Sequence, residues 1–289
     1  LGLEKGVELA EKLGYRELSE RWGKAAFEIK NAILYNKKFR LIEDGHLVKR
    51  RTRDGRWQKL MIPPDRTSMP GGSPLATIEK PSCEPDTCEV MPITYGMIDP
   101  KGELSRNTLR WIEHLWNQHW DSGGYSRYNV LSEPDPPAPW PLASLFMARA
   151  HIEAGDYRKV WRSVNWVRRL KGGNSGAWFE RYGQSITPPS PPVGIVGWAS
   201  SEITSLIVHH IIGFRPGLDR FTIRPKLLYG LRQIRGTFKV RESNVDLLLT
   251  RTRKKPFGLL NGKRVGLDAN SLIVPYPSER RHLKIELHV

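Results

Sequence analysis

The sequence predicts a mainly α chain: a run of helical hairpins that fits part of a toroid of helix pairs, followed by a small antiparallel β-domain. Three observations predict it. Apolar residues recur at helical spacing in successive segments up to about Gly213. Tight Gly-containing turns join several of those segments, which is the sign of αα-hairpins. After Pro216 the period changes to the alternation of half-buried strands. We therefore place a helical domain at residues 1–215 and a β-sandwich-like domain at residues 216–289.

In chain order, Leu3, Val7, Leu9, Ala10 and Leu13 make the first apolar stripe, and Gly14 ends it. A second helix follows with Leu18, Trp22, Ala25, Ala26, Ile29, Ile33 and Leu34. Asp54-Gly55, between Arg-rich arms, reads as a hairpin turn. Residues 61–73 are rich in Pro and Gly and read as a long loop. Three further helices are expected over 107–119, 141–154 and 156–170, with Asp156 as N-cap of the third. A strongly apolar helix is expected over 195–212. Strands are expected over 221–223, 236–240, 245–249 and 283–289, and Asn261-Gly262 is a turn signal.

Composition bounds the function. The 289 residues suit one large domain, or a medium one with a small one. Hydrophobic content of 39% and charged content of 26% read as a soluble globular protein. No stretch is long enough to span a bilayer, and no signal peptide is visible, so a cytoplasmic location is expected with no membrane partner. The net charge of +16 raises the idea of a polyanion partner, but Lys and Arg are spread along the chain. Without a zinc-finger spacing or an RNA-binding aromatic motif, no nucleic-acid partner is expected. Cys83 and Cys88 cannot make a zinc site without other ligands and read as unpaired thiols, although a disulfide is geometrically conceivable. No metal and no cofactor are expected. His209 and His210 point about 100° apart on a helix and read as structural.

Ten Trp residues suit a protein that grips sugars, because a pyranose presents apolar C–H faces, although Trp also fills cores. Cleaving a glycosidic bond with inversion needs one carboxyl to protonate the leaving oxygen and another to deprotonate the attacking water. Glu180 is placed for the second task, on a loop among Trp178, Phe179 and Tyr182. The same pattern also fits a surface glutamate beside an aromatic anchor. The guanidinium of Arg127 presents a planar fork suited to paired sugar hydroxyls. A salt bridge to Asp121 is the alternative. Tyr125, Tyr128 and Trp140 lie near Arg127 in sequence.

Three motifs strengthen the catalytic reading. Gly123-Gly124-Tyr125-Ser126-Arg127-Tyr128, followed by Pro139-Trp140-Pro141, resembles the "GG-x-x-RY … PW" segment of glucoamylase-type enzymes, glycoside hydrolase family 15. Trp178-Phe179-Glu180-Arg181-Tyr182 is similar to their "PEQ", and more so to the "YE-x-Y" of trehalase-like enzymes and processing α-glucosidases. Gly197-Trp198-Ala199-Ser200-Ser201-Glu202 resembles the "WS-x-AE" opening of their last barrel helix. The resemblance covers residues 75–213 and implies the C-terminal part of a six-hairpin (α/α)6 barrel. It implies an inverting, exo-acting glycosidase on α-glucosides, with an oligosaccharide as partner. Glu180 would be the general base. Arg127, Tyr128, Trp140, Trp178 and Tyr182 would bind substrate. Trp198 would pack at its helix start, and Glu202 would sit at a helix N-terminus. In the resembled enzymes the catalytic acid lies upstream of the helix pair with which this chain opens, so the acid, and an N-terminal portion of the barrel, are expected outside the chain. Glu113 matches no family carboxylate and reads as a solvated helix position. A disaccharide phosphorylase and a non-catalytic sugar-binding fragment are the alternatives.

Overall fold

A computed structural model of the chain describes residues 1–57, 84–118, 123–128, 138–182 and 194–289. The Pro/Gly-rich stretch 61–73, Cys83 and Asp121 fall outside the described residues. Two compact units are present, Leu1–Glu202 and Ile203–Val289. The division falls within a helix, upstream of the change from helical to alternating period.

In the first unit, α1 (Gly2–Lys12) and α2 (Arg16–Leu34) pack as a hairpin. Gly14 makes the turn at φ 79°, a backbone conformation that costs glycine nothing. Two short strands, β1 (Ile42–Glu43) and β2 (His46–Leu47), pair antiparallel. Asp54-Gly55 turns the chain as expected, with an Arg51–Trp57 bridge closing the arms. A 3₁₀ turn at Thr87–Val90 runs into α3 (Met91–Thr94). Then α4 (Glu103–Ile112) starts one turn earlier than its apolar period indicates. The second hairpin is α5 (Pro141–Ala154) with α6 (Tyr157–Arg169). Asp156 caps α6 as expected, accepting from Lys159 N at 3.1 Å. α5 is buried almost all round, from Ala143 to Ile152, and so carries no clear apolar stripe. The core here gathers Ile93, Ile112, Leu115, Tyr125, Trp140 and Met147.

The expected last helix is α7 (Gly197–Ser205), which loosens into a π-helical turn at Leu206–Ile211. In the second unit a three-stranded antiparallel sheet orders β3 (Phe214–Pro216), β4 (Arg220–Ile223) and β9 (Leu272–Pro275) as β3-β4-β9. A five-stranded sheet contains β5 (Gln233–Val240), β6 (Ser243–Thr250), β7 (Phe257–Leu260), β8 (Lys263–Val265) and β10 (His282–His288). Its order is β5-β6-β10-β7-β8. Alternate residues of both sheets form one core: Phe221, Ile223, Leu272 and Val274 from one, Val245, Leu247, Leu249, Leu283, Ile285 and Leu287 from the other. Asn261-Gly262, at φ 50° and 78°, turns β7 into β8.

Two expectations are corrected. With both sheets in place, the chain is mixed, a helical part and a β part, not mainly α. The β-unit is also not wholly antiparallel: β10 inserts between β6 and β7 and runs parallel to β6. Alternation reveals which residues face the core but not strand direction, and the long excursion between β6 and β10 permits a parallel return. Ile285 is fully buried where the two sheets meet. Ile285→Ala should cost about 2–5 kcal/mol of stability, read as a lower urea midpoint for the strand signal.

Candidate functional site

Six separate segments of the first unit meet in a mesh of single backbone bridges. Trp116 pairs with Tyr125, Ser126 with Pro139, Asp86 with Tyr128, and Phe179 with Ile195. Hydrogen bonds join these pairs. Ser126 N donates to Leu115 O at 3.0 Å, Trp140 N to Tyr125 O at 2.8 Å, and Thr87 N to Arg127 O at 3.0 Å. Tyr182 N donates to Pro139 O at 3.0 Å and Val196 N to Trp178 O at 3.1 Å. Arg127, Tyr128 and Trp140 thus share one mesh with the Trp178–Tyr182 segment that carries Glu180.

The Gly123-Gly124 pair makes the mesh possible. A Cβ on Gly123 would lie 2.4 Å from Cδ1 of Trp166. One on Gly124 would lie 2.4 Å from Cζ2 of the same indole and 2.6 Å from Cβ of Pro139. Gly124 also has φ 79°. The indole of Trp166, on α6, therefore lies flush on the backbone of both glycines. It also meets Tyr182 edge-to-face, at 6.4 Å between centroids.

Around this frame, the guanidinium of Arg127 lies over the rings of Tyr128 (4.7 Å) and Trp140 (5.4 Å). Lys49 Nζ also lies over the Tyr128 ring, 5.0 Å from its centroid. Burial raises the Tyr128 hydroxyl above its ordinary range, so it is a neutral donor. Arg127 and Tyr128 are half-buried. Trp140 is buried, and its indole N–H has no partner among the described residues. Glu180 is half-buried between Phe179 and Arg181. Trp178 is a packing anchor: it is buried and its Nε1 donates to Val167 O at 2.9 Å. The Tyr182 hydroxyl accepts from Phe179 N (3.1 Å) and donates to Lys171 O (2.6 Å), which fixes the loop on which Glu180 sits.

Three other sequence expectations change. Trp198 does not pack at its helix start but is 44% exposed. Glu202 lies well inside α7 and is ion-paired with Arg149 at 2.5 Å, so a partner on α5 holds it and not the helix dipole. Glu113 is no solvated helix position. It accepts from Arg162 (2.6 Å), Lys159 (3.0 Å) and the buried Tyr125 hydroxyl (2.9 Å). Arg162 also lies 3.7 Å from the Trp116 ring centroid. Beside this network His151 is fully buried, and burial with Lys159 and Arg162 nearby holds it neutral.

A second group of acids went unread in the sequence. Glu84, Asp86 and Glu89 are all buried. Glu84 accepts from Lys49 N and from Trp57 Nε1, each at 3.0 Å. Asp86 is ion-paired with Lys49 Nζ and accepts from Cys88 N at 2.9 Å. Glu89 Oε1 accepts from Asp86 N at 3.0 Å, completing a capping box. Burial, then the charge of Glu84, pushes the Glu89 carboxyl up to about 9, and burial also raises Glu84. Burial and the neighbouring Asp86 push the Cys88 thiol up to about 12, so it is not a nucleophile at neutral pH. The Asp-x-x-Glu spacing at 86–89 is the signal in the sequence that marks this capped turn. Among the described residues no three His, Cys, Asp or Glu side chains are grouped to hold a metal ion. No described helix is long and apolar enough to cross a membrane. A cavity of about 540 Å³ lies elsewhere, between the α1–α2 hairpin and α3, walled by Leu3, Ile29, Ile33 and Tyr95. Arg127, Tyr128, Trp140 and Glu180 are not among its lining residues.

No protein-family profile matches the chain, and no curated protein matches it. A solved structure named "Glycosidase Wild Type" is similar over 64% of this chain at 15% identity, with a TM-score of 0.41. The match spans 42% of that structure's own chain.

Two measurements test the site's construction. Gly124→Ala should cost about 2–4 kcal/mol, because it adds a clash to a left-handed backbone, and denaturant unfolding reads this directly. The Glu89 carboxyl titrates higher in the folded state than its ordinary value of 4.5. The folded chain then binds more protons than the unfolded one from about pH 5 to 9, and loses stability as pH rises through that window. Glu89→Gln should remove this slope, which one proton limits to about 1.4 kcal/mol per pH unit. Parallel slopes for the two proteins would contradict the assignment.

Proposed function

We propose that this chain is a glycoside hydrolase that works by inversion at the end of α-glucosides, on part of an (α/α)6 barrel spanning residues 1–215. The convergence of Arg127, Tyr128 and Trp140 with the Glu180 segment, from three distant stretches of sequence, is the observation that supports the reading best. Arg127 would donate paired hydrogen bonds to sugar hydroxyls while its other face stays on the aromatic rings. The stacking removes rotamer freedom, so less entropy is lost when the sugar arrives. The neutral Tyr128 hydroxyl would add a donor at the rim. Glu180 would take a proton from a water as that water's oxygen bonds to the anomeric carbon, on the face opposite the breaking bond. Trp178 and Tyr182 would serve by holding Glu180's loop: the first is packed, and the second has both its hydrogen bonds spent on backbone. Residues 216–289 would form a supporting β-sandwich.

Glu180→Gln should lower kcat on an α-glucoside by about 10²–10⁴-fold, as loss of a general base does. The Kd for the same sugar should stay within about twofold, since Gln keeps the shape and the change removes a transition-state interaction. NMR of the first product should show the inverted anomer. A variant turning over near the parent's rate would remove Glu180 from the base role. Turnover that requires inorganic phosphate would mean a phosphorylase instead.

A further inference from the structure

The net charge of +16 is not shared evenly along the chain. The unit Ile203–Val289 holds 17 Lys and Arg against six Asp and Glu, a net +11. Four of those acids are engaged away from the loops considered next: Asp219 with Arg220, Glu242 with Lys239, Asp246 with His282 and Glu286 with Lys284. Two loops meet at the end of the sheets where β4 and β6 finish. Residues 224–232, between β4 and β5, bring Arg224, Lys226 and Arg232. Residues 251–256, between β6 and β7, bring Arg251, Arg253, Lys254 and Lys255. Neither loop has an acidic side chain. Within this unit the anions at the same end are Asp268, in the turn before β9, and the carboxylate of Val289, whose O accepts from Thr252 N at 2.8 Å. Cations therefore outnumber anions there, and all but Lys226 are exposed. The loops are also held in shape. The Arg251 guanidinium donates to Leu227 O (2.7 Å), Leu228 O (3.0 Å) and Leu231 O (3.2 Å), and its backbone N–H to Arg232 O (2.9 Å). On the segment so fixed stands Tyr229, 82% exposed.

We infer that these two loops of the β-unit bind an acidic polysaccharide built of uronate sugars. The inference goes beyond the glycosidase reading and does not need it. A polyuronate carries one carboxylate per ring, and each ring has an apolar C–H face. The first feature matches a row of exposed cations, among which the guanidinium of an Arg can pair with both oxygens of a carboxylate. The second matches the face of the exposed Tyr229 ring. Because Arg251 already holds the loops, little order is lost when the chain of sugars arrives. A nucleic acid fits the same charge less well. A duplex keeps its bases stacked inside and offers a ring no flat face, and a single strand is gripped by several aromatic rings in succession. The two loops hold one aromatic ring between them.

The test measures binding of octagalacturonate to the 289-residue chain by calorimetry over a range of salt, with neutral maltooctaose and an octathymidylate as comparators. The parent should bind octagalacturonate more tightly than either. The triple variant Arg253→Ala, Lys254→Ala, Lys255→Ala should weaken that binding by about 10–100-fold and flatten its dependence on log salt by about two units. These side chains are exposed, so thermal unfolding should match the parent. Tyr229→Ala should lose about threefold to tenfold with the salt dependence unchanged, which charge alone would not produce. A control variant, Lys263→Ala, Arg280→Ala, Arg281→Ala, removes the same charge from the opposite end of the strands and should bind within about twofold of the parent at about 0.15 M salt, where screening acts within about 8 Å. Equal losses in the two triple variants would overturn the patch in favour of a diffuse field. Tighter binding of the octathymidylate, lost in the same loop variant, would overturn the polysaccharide as partner. Binding of octagalacturonate by a chain that hydrolyses no α-glucoside would support this inference while overturning the glycosidase reading.

Discussion

The contact between the Trp166 indole and the bare backbone of Gly123-Gly124 is the constraint on which the rest of the first unit depends. With no Cβ in the way, α6 comes close enough for its ring to rest on the glycines. The strip 123–128 is thereby held against 115–117 on one side and 138–140 on the other. From that strip Arg127 and Tyr128 project together, and to its far end the acid turn is tied. Single bridges are weak one at a time, since each exchanges hydrogen bonds with water for hydrogen bonds within the chain. Here they are sheltered by large aromatic rings, so water cannot compete for them. A loop site built this way has positions set by the helices beneath it.

Charge is handled differently at the two ends of the same strip. Tyr125 points its hydroxyl into a closed network in which Glu113 meets Arg162 and Lys159. One carboxylate there meets two cations, and the neutral His151 sits beside them. That network fastens α6 to the segment after α4. At the other end, Tyr128 bridges to Asp86 beside the buried Glu84 and Glu89, with Lys49 bound to Asp86 and Arg50 acting on Glu84.

Much of the scaffold was legible from residue pattern. The α1–α2 hairpin, the Asp156 cap, the Asn261-Gly262 turn and the change to alternation all rest on local rules. Strand direction did not follow, because the pairing of β6 with β10 joins distant segments. Arg127, Tyr128 and Trp140 are neighbours in the sequence motifs, but the stacking of the guanidinium on both rings is not legible there. Trp178 was read as a sugar platform when its indole N–H is tied to Val167 O. An aromatic near a candidate carboxylate looks the same in sequence whether it faces a ligand or the core. Glu113 and Glu202 were read from helix position alone, and their partners come from other elements: Arg162 and Lys159 on α6, and Arg149 on α5. The acid turn was missed because no single residue in it is unusual, and only their common burial makes it so.

The central claim is that the Arg127–Tyr128–Trp140 cluster is where a sugar binds. Trp140 carries a natural reporter, a buried indole N–H without a partner among the described residues. Titration of the ¹⁵N-labelled chain with an iminosugar analogue of glucose, followed by NMR, tests the claim most directly. The account predicts saturable shifts of the Trp140 indole and of the backbone amides of 125–128. Shifts confined to the cavity beside α1, α2 and α3, or no saturable shift at all, would contradict it.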